Sequence, residues 1–291
     1  MLKRLTSEEN RPGFSFGKKA FRYGVYALVS AFFAVGIGLA TPQPAQAGWV
    51  DLLIHGARAL QISNMSDRQE VELGADINRQ LVESGQIKLY TGPALNAYVD
   101  EIGEILANAS DRPNIPYNFQ IVDDDAINAF ATMGGHVYVT TGLMAAADTE
   151  AELAGVIGHE IGHIAGKHAL KQMRQVAITQ GITGALGVNR DRLVNIGTQI
   201  ALRLPASRSD EYEADEHGFY SMGRAGYDQT GMVSFMQKLV SNRRPPEFLS
   251  THPDARNRVN ALQELDSTEA SPNATFDTSE GDYAYTVRSL R

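Results

Sequence analysis

The chain has 291 residues, 26 Lys plus Arg against 34 Asp plus Glu (net charge −8), 43% hydrophobic residues and no cysteine. That length holds one large domain or two smaller ones, with enough apolar content for a packed core. The absence of cysteine excludes structural disulfides, Cys-ligated zinc, a thiol nucleophile and a lipidated N-terminal cysteine, and the acidic balance argues against a nucleic-acid partner, which would require clustered Lys and Arg.

The charge is divided unevenly. Residues 1–47 carry a net +4 (Lys3, Arg4, Arg11, Lys18, Lys19, Arg22 against Glu8 and Glu9), and the remainder carries −12. A basic segment, an apolar run from Val25 to Ala40 and then Ala45-Gln46-Ala47 have the layout of a signal peptide over 1–47, cleaved before Gly48. The alternative is an uncleaved N-terminal membrane anchor, for which Tyr23 to Ala40 is short. Residues 48–65 place Trp49, Leu52, Leu53, Ala57 and Leu60 at helical spacing, a helical segment that packs on the body or lies on a membrane surface.

Ser66 and Asp67 open a helix reaching Glu83, and a second helix spans about Gly92 to Ala109. Two strands follow, Tyr117 to Val122 and Gly135 to Thr141. Thr149 with Glu152 three residues on predicts a capping box and a helix running to about Gln175. Gly181 to Leu204 is apolar, with Leu193, Ile196, Ile200 and Leu204 on one face, interrupted by charges at Arg190 to Arg192; it reads as membrane-touching or partner-binding at most. Pro205 ends it; helices from Ser209 to about Gly223 and from Gln229 to Ser241 follow, and residues 266–291 read as a polar C-terminal tail.

The chemistry concentrates in His159-Glu160-Ile161-Gly162-His163, an HExxH on a helix. Residues i and i+4 lie one above the other, so both imidazoles reach one ion, while Glu160 projects about 100° round the helix towards a metal-bound water. Two chance histidines on a surface helix are the competing reading. Against it stand the apolar back of the helix (Leu153, Ile157, Ile161, Ile164) and four glycines, Gly155, Gly158, Gly162 and Gly166. Each glycine costs about 1 kcal/mol in a helix interior, so their presence calls for close approach by a second helix carrying the missing ligand. The segment Asp210-Glu211-Tyr212-Glu213-Ala214-Asp215 suits that helix, with Glu211 and Asp215 on one face; a solvated acidic helix is the other reading of it.

The HExxH and ExxAD pair, preceded by Ser207-Arg208, resembles the gluzincin metallopeptidases of the HtpX, BepA and CAAX-prenyl-protease group. Asn128-Ala129-Phe130-Ala131, Gly134-Gly135 and Val137-Tyr138-Val139 are similar to that group's edge strand, with Met133 where it usually has Pro. His168 and the His252-Pro253 motif with Arg258 extend the resemblance over residues 66–265.

The resemblance implies an α+β, mostly helical zincin-like domain over 66–265, with a small edge-strand sheet beside the HExxH helix. It implies one zinc ion per chain on His159, His163 and Glu211, Glu160 as general base and Asp215 behind the ligands. His252 is the matching residue for a latency switch, and Arg258 for orienting the site, stabilising the oxyanion or forming a structural salt bridge. Asn128, Ala129, Phe130, Gly135, His136, Val137 and Tyr138 are implied to pair with an extended substrate backbone. His168 lies about 140° round the helix from His163 and is no ligand; His55 and His217 have no partner pattern.

The expected function is a zinc metalloendopeptidase acting on unfolded or damaged exported or envelope proteins, in the periplasm or a thylakoid-lumen-like compartment, with a membrane-surface or envelope-assembly partner. The alternative is a non-proteolytic chaperone or assembly factor on the same fold.

Overall fold

Local capping signals set most of the helix boundaries in the computed structural model, which describes residues 65–179, 189–242, 245–271, 274 and 280–290. The expected leader and nearly all of the 48–65 segment lie outside these residues. Helix α1 (Asp67–Glu83) starts at a capping box in which Ser66 and Gln69 satisfy each other's backbone N–H. Its buried face carries Leu73, Ile77 and Leu81 at three- and four-residue spacing. Helix α2 (Pro93–Asn108) has Pro93 in its first turn, where the missing N–H has no intrahelical partner to lose.

Strands β1 (Asn118–Val122), β2 (Ala129–Ala131) and β3 (His136–Thr140) form a sheet in the order β1-β3-β2, parallel between β1 and β3 and antiparallel between β2 and β3. The turn from β2 to β3 uses Gly134 (φ 78°) and Gly135 (φ 101°) in the left-handed region, and buries Met133 at the position where the related group has proline.

Helix α3 (Thr141–Ala146) is short, and α4 (Glu150–Ala165) carries the HExxH. Thr149 caps α4 by accepting from Glu152 N–H, but the Glu152 carboxylate bonds Asp148 N–H at 2.8 Å, one residue outside the expected capping box. The expected continuous helix to Gln175 is two helices: α4 ends at Gly166, Lys167 adopts φ 55°, and α5 (His168–Thr179) sets off anew. Gly166 is therefore a cap and not an interior glycine. A Cβ there would run into the His168 ring.

Helices α6 (Arg190–Arg203), α7 (Arg208–Ala225), α8 (Thr230–Ser241), α9 (Phe248–Thr251), α10 (Ala255–Glu269) and α11 (Glu280–Thr286) complete the fold. Two expectations are corrected here. Residues 181–188 of the expected apolar stretch lie outside the described residues; in α6 the apolar face is covered by α1 and α5, with Ile196 and Ile200 buried, so that face is core and not a membrane-touching surface as far as Ala201, while Leu204 beyond the helix is exposed. The C-terminal segment is not simply a polar tail, because Tyr283 and Val287 are buried in the main core and the Tyr283 hydroxyl donates to the Met144 carbonyl at 2.6 Å.

The core has two parts. The larger joins α2, α4, α7, α8 and one face of the sheet; the smaller joins α1, α5 and α6 to Phe130, Met133 and Tyr138. Among the described residues no helix is long and apolar enough to cross a membrane.

Candidate metal centre

Helices α4 and α7 meet where their sequences have no side chains to separate them. A Cβ on Gly218 would stand 2.8 Å from the backbone at Gly158 and His159, and one on Gly162 would strike the Ala214 carbonyl oxygen. Gly155 makes the same kind of approach to Met232 on α8. This close approach explains Gly155 and Gly162 in α4, while at the Gly158–Gly218 crossing it is Gly218 that must lack a Cβ, and it brings Glu211 and Asp215 onto the histidine face.

His159, His163, Glu211 and His252 are all buried, with one potential ligand atom from each in a single cluster. His159 Nε2 lies 3.1 Å from His163 Nε2 and 3.2 Å from His252 Nδ1; Glu211 Oε1 lies 3.1 Å from His252 Nδ1 and 3.4 Å from His163 Nε2. Ligands about 2.0–2.1 Å from one tetrahedral ion stand about 3.4 Å apart, so these edges fit a metal. The cluster can hold a metal, with His252 in the fourth position.

Glu160 is fully buried and neither carboxylate oxygen has a hydrogen-bond partner; its nearest polar neighbour is His252 Nε2, 3.4 Å from Oε1. Burial raises its pKa above the usual carboxylate value, partly offset by the charge of His252. Glu211 behaves oppositely: burial works against its ionisation, but the charge of His252 and hydrogen bonds from His163 and His252 outweigh it and hold the carboxylate below its ordinary range. Burial and the Arg258 charge push His159 down to about 3, which keeps a ligand imidazole neutral.

Asp215 Oδ1 meets His159 Nδ1 at 2.9 Å, behind the cluster. Arg258 on α10 is fully buried; its Nε and Nη2 donate to the two Asp215 oxygens at 2.7 Å each, and its Nη1 donates to Glu211 Oε2. Arg258 does not line the cleft. Three of its five N–H groups are taken by these two carboxylates and the side chain is fully buried away from the cleft, which favours the orienting or salt-bridge reading over the oxyanion one.

A narrow cleft of about 60 Å³ opens beside Glu160, His163 and His252. One rim is β2, and the opposite wall is apolar, from Leu170 on α5 and Ile200, Ala201 and Leu204 on or just after α6. In the sequence Ile200 and Leu204 stand out only as part of an apolar helix face, and Leu170 and Ala201 not at all, because only the tertiary packing of α5 and α6 brings the four to the site. In β2, Asn128 accepts from Thr140 N–H (3.1 Å) and Thr132 donates to His136 O (2.9 Å), so Asn128, Phe130 and Thr132 face β3. Ala129 and Ala131 therefore turn their backbone groups away from β3, where among the described residues no further strand pairs; Ala129 is fully buried, so the part of this edge that reaches the cleft is at the half-buried Ala131. The expected substrate strand needs correcting here. Val137 and Tyr138, with His136 beside them, belong to the central strand, where Val137 to Val139 are paired on both sides and have no backbone groups left for a substrate. Gly135 lies in the turn, so only Asn128 to Ala131 offer an edge.

His168 is the residue whose place the sequence misjudged most. The break at Gly166-Lys167 turns it back onto the site, and its Nδ1 meets His163 Nδ1 at 2.8 Å. His217 bonds Asp111 on the surface; burial pushes His136 down to about 4.

A buried glutamate without a partner, set against a knot of metal donors on an HExxH helix, is the arrangement that zincin-type metallopeptidases use, and the α+β, mostly helical fold agrees with that class. Residues 93–266, more than half of the chain, match peptidase family M48, and the chain belongs to that family. The beta-barrel assembly-enhancing protease of Escherichia coli is 32% identical over 227 residues, covering 70% of this chain and 46% of that protein. Metalloprotease LoiP of the same organism is 30% identical over 234 residues, covering 75% of this chain and 88% of LoiP. The mitochondrial metalloendopeptidase OMA1 of Arabidopsis thaliana is 33% identical over 168 residues, covering 56% of this chain and 34% of OMA1. The chain thus spans less than half the length of the assembly-enhancing protease it matches.

Proposed function

We propose that the domain is a zinc-dependent endopeptidase for unfolded or damaged exported or envelope proteins. The observation that carries the reading is the unpartnered, buried Glu160 beside four mutually spaced metal donors. Zinc held by His159, His163 and Glu211 would supply a Lewis acid and bring the pKa of a water towards neutrality. Glu160, its own pKa raised by burial, takes the proton of the attacking water and delivers it to the leaving amine. The β2 edge at Ala131, which lines the cleft, aligns an extended substrate backbone by β-augmentation. Asp215 fixes the tautomer of His159, and Arg258 fixes Asp215 and Glu211 together. His252, in the fourth position, holds the resting site latent.

The apolar wall of the cleft suits an apolar side chain, which unfolded proteins expose and folded ones bury. The basic, apolar leader supports export to the periplasm or a lumen-like compartment, and the 48–65 segment supports a membrane-surface or envelope-assembly contact. A scaffold acting only as a chaperone would have no use for an unsatisfied buried carboxylate, which costs stability.

Glu160→Gln should keep zinc and fold while reducing casein hydrolysis by about 10²–10⁴-fold. Wild-type cleavage by that variant would refute Glu160 as the base.

A further inference from the structure

The two ligand histidines are supported differently. His159 Nδ1 meets a carboxylate, Asp215, whereas His163 Nδ1 meets another ring nitrogen, His168 Nδ1, at 2.8 Å. A contact between two ring nitrogens needs one proton between them. With a metal on His163 Nε2, the neutral ring carries its proton on Nδ1 and donates it to His168 Nδ1. His168 must then carry its own proton on Nε2. That atom is buried, has no hydrogen-bond partner of good geometry, and lies 3.2 Å from Glu213 Oε2 and 3.7 Å from Asp210 Oδ1.

By composition, His168, Asp210 and Glu213 could themselves form a second cation site. The proton count decides against it, because the Nε2 lone pair is not free while His163 holds a metal. The Lys171 ammonium already stands 2.9 Å from Glu213 and 3.7 Å from Asp210.

We propose that His168 is a positioning residue that holds His163 in its metal-binding tautomer, with Glu213 holding His168 in turn. The chain runs from His163 Nδ1–H to His168 Nδ1, then from His168 Nε2–H to Glu213, which Lys171 neutralises. It is the counterpart of Asp215 behind His159. The corner at Gly166-Lys167 makes it possible, since a continuous helix would carry His168 away from His163. The proposal rests on the reading that His159, His163 and Glu211 bind zinc.

The test uses the full chain and three variants. Zinc affinity is measured by competition with a chromophoric chelator, the visible spectrum of the cobalt-substituted protein is recorded, and the metal-free proteins are melted. His168→Phe keeps a ring but loses the acceptor, and should weaken zinc binding about ten- to hundredfold and shift the cobalt spectrum. His168→Asn, whose Oδ1 can accept at the same place, should restore most of the affinity. Glu213→Gln, on the surface, should show a smaller loss in the same direction. The metal-free melting temperatures should not follow this ranking. Wild-type affinity and spectrum in His168→Phe, or equal losses in His168→Phe and His168→Asn, would overturn the proposal. So would a second zinc equivalent on the wild type that Glu213→Gln abolishes, which would establish a second cation site. A wild type that binds no zinc would instead defeat the underlying assignment of the ligands.

Discussion

The two sides of the cleft are built on opposite principles. On one side, α4 and α7 press backbone to backbone at Gly158, Gly162 and Gly218, and nearly every polar atom behind the donor cluster is matched: Asp215 to His159, Arg258 to Asp215 and Glu211. On the other side, α5 and α6 present apolar side chains packed on the smaller core, ending in a half-exposed Leu204. The first side tolerates no change in spacing; the second asks only for volume and apolarity. On the proposed reading, chemistry falls to the rigid half and side-chain recognition to the adaptable half.

Substitutions should divide along that line. Arg258→Met strands two buried carboxylates without their cation, and should cost about 3–5 kcal/mol of stability and most of the bound metal. An unchanged melting temperature and zinc content would break the contrast. Leu204→Ala trims the exposed end of the apolar wall and should leave stability and zinc nearly untouched. It should lower kcat/KM by roughly 10–200-fold for peptides with a large apolar residue flanking the scissile bond, but not for matched alanine peptides. An equal effect on both peptides would show that the wall does not select.

Gly162→Ala sharpens the picture because two effects oppose each other. Alanine gains about 1 kcal/mol in helix propensity, while the overlap with the Ala214 carbonyl should cost about 1–3 kcal/mol. A net destabilisation in urea unfolding is expected, and a more stable protein would mean the helices can separate freely. The smallest effect should come from His252→Ala, a several-fold rise in peptidase activity with unchanged fold; unchanged or lower activity would count against latency.

Much of the rigid half was legible in the sequence. The spacing of His159 and His163, the interior glycines and the Glu211-Asp215 pair each follow from helix periodicity and the cost of glycine. What was not legible depends on contacts distant in sequence. A wall made by Leu170, Ile200 and Ala201 leaves no local pattern, and the apolar face of α6 looks the same whether it meets a membrane or α1. The turn at Lys167, a non-glycine residue at φ 55°, gave no signal beyond the Gly166 before it, which read equally well as an interior glycine. Arg258 was visible as a motif residue, but its two-carboxylate grip was not.

The glycine seam has a mechanical consequence. Where backbone rests on backbone, the separation of the two helices that carry the donors contains no rotamer coordinate, so repacking the core elsewhere can loosen side chains without moving those helices apart.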